Sequence, residues 1–418
     1  MAKILNVSAR EILDSRGYPT IEARVTLDNG LFAWASVPSG LSYSSYESKE
    51  LRDHDLKRYE GLGVLLAVKK VSEIISPKLA GRDVTKQEDI DKILINLDGT
   101  IDKKNLGANT TLAVSLACAR VAAKSKKMEL FEYLQKTYLF SETKIPAPIF
   151  CFFNGGENAD TNLDFQEYIF IPQAKNIFKN IEMGTSVFHE LGRVLEEANY
   201  DTDLGSEGGY APDLDSSIEA IELILAAAIR SGYKPGTDLK LGINIGSSVL
   251  FDKESGKYLF SLDNTSLSSL DLISLYEDWF NKYPFLYLED ALAEEAFEDW
   301  GKLTAALGDK MIVAGSNLFA TKTDRLREGL KFKAANALVI KPSQVGTLTE
   351  TIDCVRLAKK HGYKIIVSHR GAETNDDFIA DLAVSIGADY LKAGSLSRGE
   401  RIAKYNRLME IATILDNN

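Results

Sequence analysis

Alternating hydrophobic and polar positions in the first third of the chain predict an α+β module. Residues 20–27 (TIEARVTL) and 30–37 (GLFAWASV) alternate with a period of two on either side of the turn sequence DNG. This combination is typical of a β-hairpin. Apolar residues then recur at helical spacing over 63–79 and 110–125, which indicates two amphipathic helices.

After residue 150 the pattern changes to short apolar runs separated by helical patterns, such as those at 216–232 and 349–362. Continuous apolar strands that alternate with helices indicate a parallel sheet covered on both faces. Repetition on this scale favours a closed barrel over an open doubly wound sheet. The seven strand candidates are residues 165–172, 239–246, 285–290, 310–316, 337–341, 363–368 and 389–394.

The segment TKIPAPIF at 143–150 separates the two patterns, and its two prolines predict a break because proline interrupts helices and strands alike. We therefore expect an α+β amino-terminal domain at residues 1–138 and a barrel domain at residues 139–418. The expected fold class is α/β.

Composition narrows the functional classes. The chain has 418 residues, of which 45% are hydrophobic and 26% charged, as in an ordinary globular protein. Its formal net charge of −11 argues against nucleic acid as a partner, because that interaction needs a basic face. Neither a signal peptide nor an apolar run long enough to span a membrane is evident, and three widely spaced cysteines indicate buried free thiols. We expect a cytoplasmic protein.

Polar side chains occur where the predicted strands end. In a barrel these ends converge on one face, which carries the active site. Two lysines confined there repel each other, and this lowers the pKa of one toward the range of a general base. Such a base could remove a proton next to a carboxylate. The strand-end residues are Gln166, Glu167, Asn244, Glu289, Asp290, Ser316, Asn317, Lys341, His369, Arg370 and Lys392.

A glycine-rich loop, GSEGGYAP at 205–212, presents a further acid, Glu207. No GxGxxG or Walker-type sequence is present, so the sequence does not favour a dinucleotide-binding site or a P-loop phosphate-binding site.

Long motifs run in order along the chain: AREILDSRGYPTIEA, VPSG, YESKELRD, LDGT, LGANTTLAVSLA, NGG, SEGGYAP, LED, SHRGAET, DFIADLAV and RGERIAKYNRLMEI. Through these motifs the chain resembles the enolase (phosphopyruvate hydratase) family from end to end. The resemblance implies an α+β amino-terminal domain on a modified (β/α)8 barrel, usually as a homodimer or larger homo-oligomer. It also implies interconversion of 2-phosphoglycerate and phosphoenolpyruvate in glycolysis, a lyase reaction that uses Mg²⁺.

The resemblance assigns roles by position. Lys341 matches the base that takes the proton from carbon two, and Lys392 matches the lysine that pairs with the substrate carboxylate. Glu207, supported by Glu167, matches the general acid that helps hydroxide leave carbon three. The remaining substrate-binding positions are Arg370, which matches a phosphate contact, and Gln166, His369, Ser42 and Asn158.

The metal positions depart from the family pattern. The family holds its catalytic Mg²⁺ with three carboxylates, and the matching residues here are Asn244, Glu289 and Ser316. Only Glu289 carries a charge. Because Mg²⁺ binding relies on carboxylates, we expect binding to be weak or lost.

Other positions change as well. The loop that closes the site in the family reads Leu41, Ser42, Tyr43 and Ser44, and we expect Tyr43 to hold this loop away from its closed position or to fill substrate space. Asn158 replaces a histidine. Two hypotheses follow: an enolase with a weakened metal site, or a descendant without dehydratase activity that binds a related acid or acts as a structural or regulatory protein.

Overall fold

The computed structural model describes residues 2–40, 44–141 and 143–417. The chain begins with an antiparallel sheet of three strands, β1 (Ile4–Leu13), β2 (Pro19–Leu27) and β3 (Phe32–Ser36). The predicted hairpin is confirmed, with Gly30 at φ +83° in the turn. The sequence pattern did not predict β1, because two of its leucines, Leu5 and Leu13, are more than half exposed.

Helices cover one face of this sheet. The longest, α4, is buried along most of its length and packs on β2 and β3, so it forms the core of the module. Both predicted helical segments are confirmed, the first interrupted by a π-helical turn at Val71–Ile75. The helices are α1 (Leu65–Lys70), α2 (Ser76–Leu79), α3 (Gln87–Asp98), α4 (Ala108–Ser125) and α5 (Leu130–Tyr138).

Eight strands form the predicted closed barrel, in the order β10-β11-β12-β13-β14-β4-β5-β6. Three others, β7 to β9, make a small separate sheet. The strands are β4 (Ala147–Asn154), β5 (Glu167–Pro172), β6 (Leu239–Asn244), β7 (Phe251–Asp252), β8 (Lys257–Phe260), β9 (Thr265–Leu267), β10 (Phe285–Glu289), β11 (Ile312–Gly315), β12 (Ala337–Ile340), β13 (Lys364–Ser368) and β14 (Tyr390–Lys392).

One barrel strand runs against the others. β5 pairs antiparallel with both β4 and β6, whereas every other pair in the barrel is parallel. The sequence predicted a wholly parallel sheet, so this is a correction. Because β5 is reversed, Glu167 at its start lies beside Asn244 at the end of β6.

Helices surround the barrel, and the predicted ones at 216–232 and 349–362 are confirmed as α7 and α11. Apolar side chains from six barrel strands, including Ile169 and Ile366, fill the interior as a separate cluster. The helices are α6 (Ile177–Glu197), α7 (Ser217–Arg230), α8 (Ser269–Lys282), α9 (Phe297–Leu307), α10 (Thr323–Phe332), α11 (Leu348–Lys360), α12 (Phe378–Ser385) and α13 (Gly399–Asp416).

The proline-containing segment at 143–150 is more than a break. It contains the start of β4, the barrel strand that the sequence pattern missed. Pro148 is tolerated because pairing with β5 begins only at Phe150, while the neighbouring Ala147 N–H donates to the Asp389 carbonyl at 3.0 Å.

All three cysteines are buried free thiols, as predicted. Within the described residues, no helix is long and apolar enough to cross a membrane.

Candidate active site

A polar cavity opens at the face of the barrel where the candidate side chains were expected to converge. It holds about 430 Å³ of empty space, part of it open to solvent. Nine of the eleven strand-end residues predicted from the sequence line this cavity. The other two, Glu289 and Ser316, are fully buried and do not line it. Ser42, Leu41 and Tyr43 lie outside the described residues. The lining residues are Asn158, Gln166, Glu167, Glu207, Asn244, Asp290, Asn317, Lys341, Ser368, His369, Arg370, Gly371 and Lys392.

Lys392, at the end of β14, joins two buried carboxylates. Its Nζ donates to Glu167 Oε2 at 2.5 Å and to Glu289 Oε2 at 2.6 Å. Burial alone would lower the pKa of Lys392, but the two carboxylates raise it above its ordinary value. This lysine therefore stays charged and can offer a positive charge to a ligand.

Lys341 follows β12 and differs from Lys392 in its surroundings. Its backbone N–H donates to Thr321 Oγ1 at 3.0 Å, which fixes the end of the strand. Burial lowers the pKa of the Lys341 ammonium, and the charge of Lys392 lowers it further, although Glu289 opposes the change. The sequence argument attributed this shift to repulsion between the lysines, whereas burial is the larger cause. A lysine of lowered pKa can act as a base near neutral pH.

Glu207 and Glu167 form a carboxyl pair of unequal pKa. Burial and the neighbouring charge of Glu167 raise the pKa of Glu207 well above its usual value. Burial also acts on Glu167, but the charge of Lys392 brings its pKa well below the usual value. The proton of the pair therefore resides on Glu207, which is the form that a general acid needs.

The loop that carries Glu207 is held in place by a side chain at the end of β4. Asn154 Oδ1 accepts the backbone N–H groups of Glu207, at 3.3 Å, and Gly209, at 3.0 Å. Asn154 Nδ2 also donates to the Glu207 carboxyl at 3.4 Å. The glycine-rich loop is thus a positioned part of the site and not only a turn.

His369 is fixed by an arginine from the last helix. Arg401 Nη1 lies 2.6 Å from His369 Nδ1, and an arginine can only donate there, so Nδ1 is an acceptor and Nε2 carries the proton. Nε2 lies 3.6 Å from Glu207 Oε1. Burial and the Arg401 charge lower the pKa of His369 to about 3, although Glu167 opposes the shift.

We expect His369 to stay neutral, with the proton on Nε2, at every pH above about 4 at which the protein is folded. Its pKa is about 3 when folded and about 6.5 when unfolded, so the unfolded state binds the extra proton and this group destabilises the fold as pH falls from 6.5 to 3. Ring nitrogen chemical shifts from ¹⁵N NMR between pH 8 and pH 5 measure this. A ring that becomes protonated near pH 6.5 would contradict the arrangement.

Arg370 is paired with a residue from the amino-terminal module. Its Nη2 donates to Glu47 Oε2 at 2.8 Å, and Gln344 Nε2 donates to the other oxygen of Glu47 at 3.2 Å. Although burial opposes it, Arg370 keeps the pKa of Glu47 below its ordinary value. The amino-terminal module therefore helps to position Arg370, a residue of the cavity wall.

The three expected metal positions lie on neighbouring strands. Asn244 Nδ2 donates to Glu167 Oε2 at 2.9 Å, while Tyr287 Oη and Lys392 Nζ both donate to Glu289 Oε2. Ser316 is positioned by its backbone N–H, which donates to Asp290 Oδ1 at 2.9 Å.

The oxygen atoms of these three residues show whether the expected metal positions could hold Mg²⁺. Among the described residues, Asn244 Oδ1, Glu289 Oε1 and Ser316 Oγ are buried acceptors without a hydrogen-bond partner, so oxygen ligands are present. Their charge is insufficient, because Glu289 is the only carboxylate and two donors already engage it. Mg²⁺ usually takes one or two carboxylates in addition to the phosphate groups of a substrate. These residues do not fit a divalent cation that is held tightly in the free protein.

In the described part of the chain, one group of three possible metal ligands lies close together, formed by Cys151, Glu167 and Glu207 within 4.8 Å. Burial raises the pKa of the Cys151 thiol well above its usual value, so it stays protonated. Glu207 also keeps its proton. Because two of its three groups hold protons, this group is not suited to bind a metal ion.

Sequence reasoning missed three side chains that organise the site. Tyr287 lies two residues before Glu289, so the period of two along a strand places both side chains on one face and could have identified it. Glu47 and Arg401 occur in the motifs YESKELRD and RGERIAKYNRLMEI, but neither motif indicates a partner in the barrel.

Comparison with known proteins gives the same picture along the whole chain. A family model described as "Enolase, N-terminal domain" matches residues 4–134, and one described as "Enolase, C-terminal TIM barrel domain" matches residues 142–418. A curated relative named Enolase, from Ehrlichia ruminantium (strain Gardel), is 43% identical over 417 residues, which cover 100% of this chain and 97% of the relative. The chain belongs to the enolase family.

Proposed function

We propose that this protein interconverts 2-phosphoglycerate and phosphoenolpyruvate plus water, as a carbon–oxygen lyase of glycolysis. One observation carries the proposal: a single cavity is lined by a lysine of lowered pKa, Lys341, and a protonated carboxyl, Glu207. Water elimination next to a carboxylate requires this pair, a base and an acid.

In the proposed reaction, neutral Lys341 takes the proton from carbon two. Glu207 gives its proton to the hydroxyl group of carbon three, the carbon–oxygen bond breaks, and water leaves as the double bond forms. Lys392 pairs with the substrate carboxylate, and Arg370 contacts the phosphate because its planar guanidinium matches phosphate geometry.

The departures at Asn244 and Ser316 affect the rate. Removal of the proton puts additional negative charge on the substrate carboxylate. In this protein Lys392 and Lys341 have to stabilise that charge. Every 1.4 kcal/mol of lost stabilisation slows the reaction about tenfold. We therefore expect slow turnover, well below that of a family member with three metal carboxylates.

A second candidate function is ligand binding without turnover, in a degenerate family member with a structural or regulatory role. The observation that favours it is that Lys392 and Tyr287 already engage Glu289, the one charged metal position. Measured turnover separates the two candidates.

The decisive experiment adds 2-phosphoglycerate to the protein and follows the ultraviolet absorbance of the enol product. We expect a slow rise that Glu207→Gln reduces by about 10²- to 10⁴-fold, because the amide cannot give up a proton to the leaving group. The matched control is Glu197→Gln, which changes an exposed carboxyl on α6 that is paired with Arg230. If the unmodified protein shows no turnover while it binds the acid, the second candidate is correct.

The proposal also covers the cellular location and the oligomeric state of the protein. Members of this family are generally Mg²⁺-dependent and typically oligomeric. We propose that the protein is cytoplasmic and forms a homodimer or larger homo-oligomer. Light scattering of the purified protein measures the oligomeric state.

A further inference from the structure

Five side chains form one continuous hydrogen-bonded chain beneath the cavity. Asn244 Nδ2 donates to Glu167 Oε2 at 2.9 Å, and Lys392 Nζ donates to the same oxygen at 2.5 Å. Lys392 Nζ also donates to Glu289 Oε2 at 2.6 Å, and the Tyr287 hydroxyl donates to that oxygen as well. Each carboxylate in the chain therefore accepts hydrogen bonds from two donors.

The ammonium of Lys392 offsets one of the two negative charges in this chain, so one net negative charge remains. Glu167 and Glu289 are each no more than 1% exposed, and the ammonium of Lys392, 2% exposed, lies between them. Buried carboxylates need this type of compensation, because the interior of a protein solvates charge poorly.

Asn244 adds no negative charge to this chain, whereas an aspartate would. Its amide donates to Glu167, whereas a carboxylate at the same place would meet Glu167 as a like charge at hydrogen-bond distance. In family members a divalent ion offsets such a repulsion between carboxylates. In this chain the neutral amide of Asn244 avoids the repulsion.

Lys392 still has a donor for a ligand. An ammonium group has three N–H donors, and the two bonds to carboxylates use two of them. Because Lys392 also lines the cavity, its third donor can reach the carboxylate of a bound acid.

We propose that Lys392, held between Glu167 and Glu289, takes the place of a resident divalent cation, so that this protein binds its phosphorylated carboxylic acid without Mg²⁺. Tyr287 is a positioning residue in this arrangement, because its hydroxyl shares the charge of Glu289 and keeps the lysine centred. The inference rests on the proposed ligand class but does not require turnover.

The test is equilibrium dialysis of the full-length protein against ¹⁴C-labelled phosphoenolpyruvate, once with EDTA and once with millimolar Mg²⁺. The label counts the acid and its hydration product together, so slow turnover does not disturb the measurement. We expect the two dissociation constants to agree within about threefold. Affinity that appears only with Mg²⁺ would overturn this inference and leave the proposed function intact, whereas no binding in either buffer would overturn both.

Tyr287→Phe tests the positioning role. Without the hydroxyl, Glu289 Oε2 loses a donor and draws Lys392 away from the ligand, while the carboxylate becomes more available to a cation. We expect weaker binding in EDTA and recovery with Mg²⁺, so that the ratio of the two dissociation constants rises at least fivefold.

The control is Tyr276→Phe, which removes another buried hydroxyl, one that donates to the Ala291 carbonyl at 3.0 Å and to none of the five side chains. Circular dichroism confirms that both variants fold. A loss of stability alone would weaken binding equally in both buffers, so an unchanged ratio in Tyr287→Phe would refute the role of this tyrosine.

Discussion

Replacement of Asn244 and Ser316 together by aspartate is expected to raise the affinity of the protein for Mg²⁺ by about a hundredfold or more. The change adds two carboxylates beside Glu289, and hard anionic oxygens are the preferred ligands of this ion. The same change removes the hydrogen bond from Asn244 to Glu167 and creates unpaired buried charge, which costs on the order of 3 kcal/mol. Stability of the variant should therefore depend on the metal.

Calorimetric titration with MgCl₂ measures the affinity, and thermal unfolding in EDTA and in Mg²⁺ measures the stability. We also expect Mg²⁺ to accelerate the absorbance assay of this variant by at least tenfold. The matched control is Asn264→Asp with Ser266→Asp, which adds the same charges at exposed positions of the small sheet. If the site variant binds Mg²⁺ no better than the control, the charge deficit is not what limits metal binding.

Lys341→Met is expected to abolish exchange of the carbon-two proton of 2-phosphoglycerate, with a loss of at least about 10⁴-fold. Methionine has a similar length and apolar character but no basic nitrogen, so it removes the base and keeps the packing. Proton NMR of the substrate in D₂O measures the exchange directly. Binding of phosphoenolpyruvate should change by less than about fivefold, since Arg370 and Lys392 remain.

Lys322→Met is the matched control for this experiment. Burial lowers the pKa of Lys322 as well, but this lysine lies outside the cavity that Lys341 lines. Exchange should therefore continue in the control at the rate of the unmodified protein. Exchange that persists in Lys341→Met would show that another group is the base, and Lys392 would be the next candidate to test.

Much of the fold could be predicted from the sequence, because seven of the eight barrel strands are short apolar runs between helices. The sequence pattern did not predict the eighth strand, β4, because Pro146 lies directly before it and Pro148 lies within it. The sequence also gave no signal that β5 is reversed, since a buried strand has the same apolar pattern in either direction. The division into domains at residues 138 and 139 stays a prediction.

The site could be predicted as a set of residues but not as a network. Strand ends identified most of the side chains that line the cavity, because a barrel collects them on one face. Their pairing depends on side-chain reach in three dimensions, so the link from Lys392 to Glu289 could not be derived from spacing. Arg401, on the last helix, sets the tautomer of His369 across more than thirty positions of sequence.

The bond from Asn244 to Glu167 also has an evolutionary consequence. Asp at position 244 alone would place two acids against each other before the rest of a cation cage existed, and such a protein is expected to be less stable. Asp at position 316 alone would add a second buried carboxylate, at the end of the strand that pairs with the strand of Glu289. We therefore expect Asp at positions 244 and 316 to be tolerated only when both are present, so descent by single substitutions should retain Asn244 and Ser316.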